Sequence, residues 1–264
     1  MIGSIFLKTL ADLRGQTLVW SLGLAVLGAV NVLLYPTVQN MPGLVAFLDN
    51  LPPAFKAMIG DVQALARIEG FLRVKLIDPL PLLLAVFAVA QGAALIAGEI
   101  EARSLDLLLA RPVSRSRVVL EKFMALAAAT VIMTVGLVLG LVGGAIFVET
   151  GIGVGYFLRG AANALPLTWL FAALALLASC RCSRSRTAAL TAGSVVVAAY
   201  VFETLRLTTP ALRGWDELSL FAIQKAGFTG QGSLDPGPIC GLLAAAIGLG
   251  LAAAVVFDRR DLAD

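Results

Sequence analysis

Six long apolar runs constrain this chain more than any other feature, at about residues 18–36, 77–98, 123–148, 160–180, 187–204 and 238–257. A helix needs about 20 apolar residues to cross the hydrocarbon core of a bilayer. Inside hydrocarbon every backbone N–H and C=O must be satisfied within the segment, so each run is expected to be a helix. Charged residues make up only 14% of the chain, against about 25% in soluble domains. The expected fold is therefore an all-α membrane protein of six transmembrane helices, one transmembrane domain over residues 1–264.

Composition closes off several chemistries. The chain has no His, which excludes His-based metal sites and His-dependent triads. Cys180, Cys182 and Cys240 are too few for a disulfide framework. Cys180 and Cys182 read as small residues at a membrane edge or as half of a metal site. The net charge of +3 is spread over several loops, which argues against nucleic-acid binding. Residues 1–17 place Ile2, Ile5, Phe6, Leu10 and Leu13 on one helical side and Lys8, Asp12 and Arg14 elsewhere, the pattern of an amphipathic surface helix. The first run has full membrane length and reaches Tyr35 and Pro36 without a small-residue cleavage site, so no signal peptide is expected.

Basic residues set the expected orientation. One side carries Lys8, Arg14, Arg103, Arg111, Arg115, Arg117, Lys122, Arg181, Arg184, Arg186, Arg259 and Arg260 within short segments. That side is expected to be cytoplasmic, with both termini inside. The outer loops, 37–76 and 205–237, are expected to cap the bundle as short helices. Small residues recur along two spans, at Gly136, Gly140, Gly143 and Gly144, and at Ala244, Gly248 and Ala252. Such stripes let helices approach closely, within one subunit or between subunits.

A dense charged segment, residues 98–123, separates the second run from the third. It cannot lie in hydrocarbon and must be a loop at a membrane surface. Leu105, Leu108 and Leu109 fall on one face of a short helix that Ser104 can cap. Asp106 suits its positive end, Arg111 its negative end, and Pro112 discourages continuation. Ser114 can cap the next helix. The element is either a solvated turn on lipid headgroups or a docking knob for a cytoplasmic partner.

This loop resembles that of the type-two ABC export permeases, whose pattern is close to E-x-E-x-G-T-L-E-L-L-L-x-x-P-V-S-R. Glu99, Glu101, Leu105, Leu107, Leu108, Leu109, Pro112, Val113, Ser114 and Arg115 match it. Ser104 and Asp106 are conservative replacements, and Arg103 stands where Gly is common. The ending Phe257–Leu262 and the Leu218–Phe221 segment are also similar to the family. The resemblance implies a subunit of a prokaryotic inner membrane. It implies a second permease, as homo- or heterodimer, and two cytoplasmic ATPase subunits that use ATP and magnesium. The loop would be the coupling helix seated in a groove of each ATPase, with Glu99, Glu101, Arg103, Ser104, Leu105, Asp106, Leu108, Leu109, Arg111, Pro112, Ser114 and Arg115 as its residues. This chain carries no cofactor of its own by that reading and is not an enzyme.

No G-x-x-x-x-G-K-[ST] phosphate loop occurs in the sequence. Gly151, Gly153 and Gly155 follow a span and not a strand, and read as a tight turn. Gln91 either hydrogen-bonds between helices or lines a pathway. Glu203, with Tyr200 one turn before it, is a candidate for the pathway, a salt bridge to Arg206, or a simple span end. Glu149 and Arg159 are expected to be solvated, Tyr156, Trp169 and Trp215 to anchor at the interface. Phe55, Phe71 and Phe221 form an outer gate or pack the core. A membrane-anchored assembly or signalling subunit, and a secondary transporter, are the alternatives to the permease. The secondary transporter would want several ionisable residues near the bilayer middle.

Overall fold

The computed structural model describes residues 4–39, 50, 67–103, 114–148, 150–212, 214–229 and 232–260. In chain order its helices are α1 (Ser4–Gln39), α2 (Ile68–Leu72) continuing through a π turn (Arg73–Ile77), α3 (Leu80–Glu101), α4 (Arg115–Ala145), α5 (Val154–Ala162), α6 (Leu165–Arg181), α7 (Ser185–Thr208), α8 (Leu220–Ala226) and α9 (Pro236–Asp258). Two 3-10 turns, Pro210–Leu212 and Asp216–Leu218, lie between α7 and α8. Among the described residues the only extended pairing is one isolated bridge, Phe228 with Leu234.

Six helices are long and apolar enough to cross a membrane, with α2–α3 and α5–α6 each counting as one. They divide into two shells. The most apolar windows of α2–α3 and α5–α6 are 67% buried, while that of α1 is only 22% buried. α4 belongs with the inner helices, and α7 and α9 with the outer ones. α6 stands at the centre against α3, α7 and α9, and α1 lies along α4. The outer helices present Leu18, Val19, Leu22, Leu190, Val197, Ile247 and Leu251 outward, the surface a helix shows to lipid.

The first span and the amphipathic segment before it form one helix, with no boundary near residue 17. At 1.5 Å per residue α1 is about 54 Å long, more than the hydrocarbon core. Gly15 costs only about 1 kcal/mol in a helix, too little to break it, and the only proline in α1 is Pro36, near its end. The apolar side of residues 4–17 also has a different neighbour from the one its pattern suggests. Ile5 and Leu13 are buried in the protein core.

The crossing of α1 and α4 is built on glycine. A Cβ at Gly140 would fall 1.9 Å from the carbonyl oxygen of Ala25, and one at Gly136 would fall 2.1 Å from the Ser21 Oγ. Gly28 of α1 approaches Leu137 in return. The Gly136 and Gly140 stripe therefore packs within the subunit. The second stripe is different, because Gly248 meets nothing within 4 Å and Ala244 is exposed.

The described parts of both outer loops include short helices, as expected, although the second loop also holds the Phe228–Leu234 bridge. Ser219 caps α8 by accepting from the Ala222 N–H, and Asp235 caps α9 by accepting from the Gly237 N–H, with Pro236 in the first turn. Ser114 occupies the cap position of α4 with an extended backbone, yet its side chain makes no capping hydrogen bond. The expected cap at Ser114 is thus positional only.

Candidate functional site: the base of the charged loop

Ser104, Leu105, Asp106, Leu107, Leu108, Leu109, Arg111, Pro112 and Val113 lie outside the described residues, and so does the short helix expected there. Both ends of the loop are described. Glu99 and Glu101 occupy the last turn of α3, Arg103 follows it, and Ser114 and Arg115 open α4.

The two ends are ion-paired to each other. The ammonium of Lys122, in the second turn of α4, stands 2.5 Å from the Glu99 Oε1. It also donates to the Leu95 carbonyl at 2.6 Å. Lys122 is 3% exposed, so this charge is held by α3 and not by water. A buried charge is tolerated only when paired and hydrogen-bonded, and removing one partner is costly. Glu99 and Lys122 therefore fix the end of α3 against the start of α4.

Neighbouring residues extend the knot to other helices. Glu121 accepts from the Phe6 N–H at 3.1 Å and from the Arg117 Nε at 2.7 Å. It thereby satisfies a free N–H in the first turn of α1 and suits the positive end of that helix. Arg115 donates to the Arg260 carbonyl at 2.6 Å and lies over the Phe257 ring. Ser116 hydrogen-bonds Asp258. Arg260 in turn donates to the carbonyls of Cys180 and Cys182 and to the Ser183 Oγ, at 2.8, 3.1 and 2.9 Å. Glu101 accepts from the Ser185 Oγ at 2.5 Å, joining α3 to the start of α7. The first turns of α4 thus gather α1, α3 and α9 directly, and reach the α6–α7 turn through Arg260.

Arg103 adopts φ +50°, the left-handed region that favours glycine. This is the position where the resembling loops commonly carry Gly. The chain turns out of α3 at this residue.

Of the pathway candidates, the structure brings Tyr200 and Glu203 together and leaves Gln91 apart. The Gln91 amide donates to Gln16 of α1, the interhelical bond that its position in an apolar run allows. Tyr200 and Glu203 line a separate cavity of about 140 Å³ with Asp78, Phe221 and Lys225. Glu203 is 3% exposed and accepts from Arg206, Ser219 and Lys225. It is thus the centre of an ion cluster and not a simple span end.

Residues 16–214 match the model of the ABC-2 family transporter proteins. The chain belongs to this family. No curated protein matches it. The matched region begins within α1, holds the charged loop, its Glu99–Lys122 ion pair and α2 to α7, and stops before α8 and α9. As a member of the ABC-2 family the chain is a multi-pass membrane protein of permease type, a kind of subunit that associates with an ABC ATPase and is typically non-catalytic.

Several aromatic and polar residues of this ABC-2 family chain sit differently from the sequence reading. Trp169 donates its indole N–H to Thr130 inside the bundle, and the Tyr156 hydroxyl donates to the Glu69 carbonyl. Both therefore spend their polar atoms within the protein, while Trp215 is exposed. Arg159 is exposed but donates to the Gly232 carbonyl. Phe71 packs on Tyr35, and Phe221 on Phe171 and Tyr200, in separate core clusters. They pack the core and do not meet as a gate. Phe55 and Glu149 lie outside the described residues. Gly151 has φ +66°, as the tight-turn reading requires. Cys180 is buried and Cys182 partly so, and among the described residues no cluster suits a metal ion.

Sequence reasoning missed Glu121, Lys122, Ser185 and Arg260 as parts of this site. A usable signal existed for Lys122. It mirrors Glu99 across the loop, each placed where an apolar run meets the charged segment.

Proposed function

We propose that this chain is the transmembrane subunit of an ATP-driven exporter, forming half of a substrate pathway with a second permease. The residues at 104–113 act as the coupling helix, docked in a cytoplasmic ATPase that binds ATP and magnesium; two such ATPases serve the pair. The chain carries no cofactor and catalyses no covalent step. The loop faces the cytoplasm of a prokaryotic cell, with both termini on that side of the inner membrane.

One observation supports this reading above the others. Both ends of the charged loop enter a single ion-paired knot that ties together α1, α3, α4 and α9. A push on such a loop is delivered to the whole bundle and not absorbed by a flexible hinge, as switching a two-state bundle requires. A loop that only rested on headgroups would have no need of a buried ion pair at its base.

Affinity purification of the tagged chain in mild detergent tests the reading. An ABC ATPase is expected to come with it in near one-to-one ratio. Replacing Leu108 and Leu109 by Asp is expected to uncouple or release that ATPase while leaving membrane insertion intact. Recovery of the chain alone from several detergents, or full coupling in the double variant, would count against the proposal.

A further inference from the structure

An apolar groove of about 240 Å³ runs along the seam between α6 and α7 at the loop end of the bundle. Leu174, Leu177 and Ala178 line it from α6, and Thr191, Ala192 and Val195 from α7. Arg181 and Cys182 line the end nearest the turn between the two helices. From Leu174 to Arg181 the groove wall runs about 10 Å along α6, from the apolar body of the span to its charged end. The groove is open sideways, because Thr191 and Val195 are exposed beside the outward-facing Leu190 and Val197. α6 packs on both α7 and α9, with no comparable packing between α7 and α9 to close over it.

The mouth of the groove is basic. Only residues 182–184 join the two span-length helices, so this turn lies at a membrane surface. Residues 180–200 contain Arg181, Arg184 and Arg186 and no acid. Arg181 is exposed and takes part in no ion pair among the described residues. Arg184 is also exposed and stands two turns before Thr191, on the same side of the chain as the groove. Arg260 donates to the Cys180 and Cys182 carbonyls, which fixes the turn and adds a third guanidinium. Glu101 attracts Arg184, but its carboxylate already accepts from Ser185. The groove thus passes from an apolar body to a mouth with surplus positive charge.

We infer that this groove seats an anionic phospholipid of the phosphatidylglycerol type, one acyl chain lying along α6 and α7 and the phosphate on Arg181. The order of surfaces follows the bonding of the lipid: acyl chain against Leu174 to Ala178, phosphate at Arg181, headgroup beyond it beside Arg184. A planar guanidinium matches a phosphate in shape and charge. Basic pockets between membrane helices suit anionic lipids for this reason. A zwitterionic headgroup brings its own cation to Arg184 and is repelled there, while a glycerol headgroup brings none. The site should therefore discriminate among lipids of similar apolar area. It goes beyond the exporter reading and needs only the placement of the chain in a membrane.

Native mass spectrometry of the full chain in detergent, with phosphatidylglycerol, phosphatidylcholine or phosphatidylethanolamine added in turn, tests it. Phosphatidylglycerol adducts are expected to be retained in preference to the other two. Arg181→Gln is expected to weaken phosphatidylglycerol binding about fivefold, the loss of one exposed ion pair. Arg184→Gln is expected to erase the preference over phosphatidylcholine. Thr191→Phe fills the groove and is expected to weaken all three adducts, while Leu190→Phe, on the neighbouring outward face, leaves them unchanged. All four positions are exposed, so the variants should fold. Equal retention of the three lipids, undiminished phosphatidylglycerol binding in Thr191→Phe, or a two-copy species that excludes the lipid would overturn the proposal.

Discussion

Single charged residues carry the most readable consequences. Lys122 is buried with Glu99 and the Leu95 carbonyl as its partners. Replacing Lys122 by Met leaves the Glu99 carboxylate against a low-dielectric wall, a loss of about 3–5 kcal/mol where one partner of a buried pair is removed. Adding Glu99→Gln to Lys122→Met should restore much of it, because no buried charge remains. Thermal unfolding of the detergent-solubilised single and double variants measures the difference; equal destabilisation of both would refute the ion-pair account. Arg103 offers a change of opposite sign. An L-residue in the left-handed region costs about 1–2 kcal/mol, so Arg103→Gly should stabilise the chain by roughly half that once glycine's own entropy cost is subtracted. A lower midpoint for Arg103→Gly would show that the guanidinium is itself needed. Glu99 and Glu101 were legible in the sequence as loop residues, because charges bordering an apolar run are conspicuous. Their partners were not, since Ser185 stands 84 residues from Glu101 and spacing holds no information about which distant side chain closes a contact.

At the scale of the elements, the six spans were legible because lipid imposes a minimum length and internal hydrogen bonding on each helix. Their ends were less so. The α1 boundary expected near residue 17 does not exist, because amphipathicity reports two faces and not whether the apolar one meets lipid or protein. Two small-residue stripes also looked alike in the sequence and differ in three dimensions. Gly140 touches the Ala25 backbone, while Gly248 meets nothing within 4 Å. Gly140→Ala must push α1 away from α4, and overpacking of this kind costs about 1–3 kcal/mol. Gly248→Ala should instead be neutral or stabilising in the isolated chain, since alanine is the better helix former. Thermal midpoints of the two variants in the same detergent test this contrast. Comparable loss in both would mean that the α9 face is covered in solution.

Over the whole molecule, ionic clusters lie at two ends of the apolar bundle. α7 connects them: Ser185, at its start, bonds Glu101 beside the loop, and Glu203 lies near its other end. The separation along the helix is about 27 Å, close to the thickness of the hydrocarbon core. At the far end Glu203 gathers Arg206, Ser219 and Lys225, Arg206 reaches on to Asp216, and Arg73 hydrogen-bonds the Lys225 carbonyl while pairing with Asp78. This cluster holds α8 and the 3-10 turns over the ends of α3 and α7. Glu203→Gln keeps the shape but leaves Lys225 without its carboxylate and weakens the hold on Arg206, a loss on the order of 3 kcal/mol for a buried, multiply bonded charge. Because the loop-end knot shares no residue with this cluster, the two should fail independently. Hydrogen exchange in Glu203→Gln is expected to quicken across α8 and the turns before it, with the first turns of α4 keeping their protection and any bound ATPase retained. Loss of protection at both ends together would mean that α7 transmits strain along its whole length, and that the bundle behaves as one cooperative unit from loop to cap.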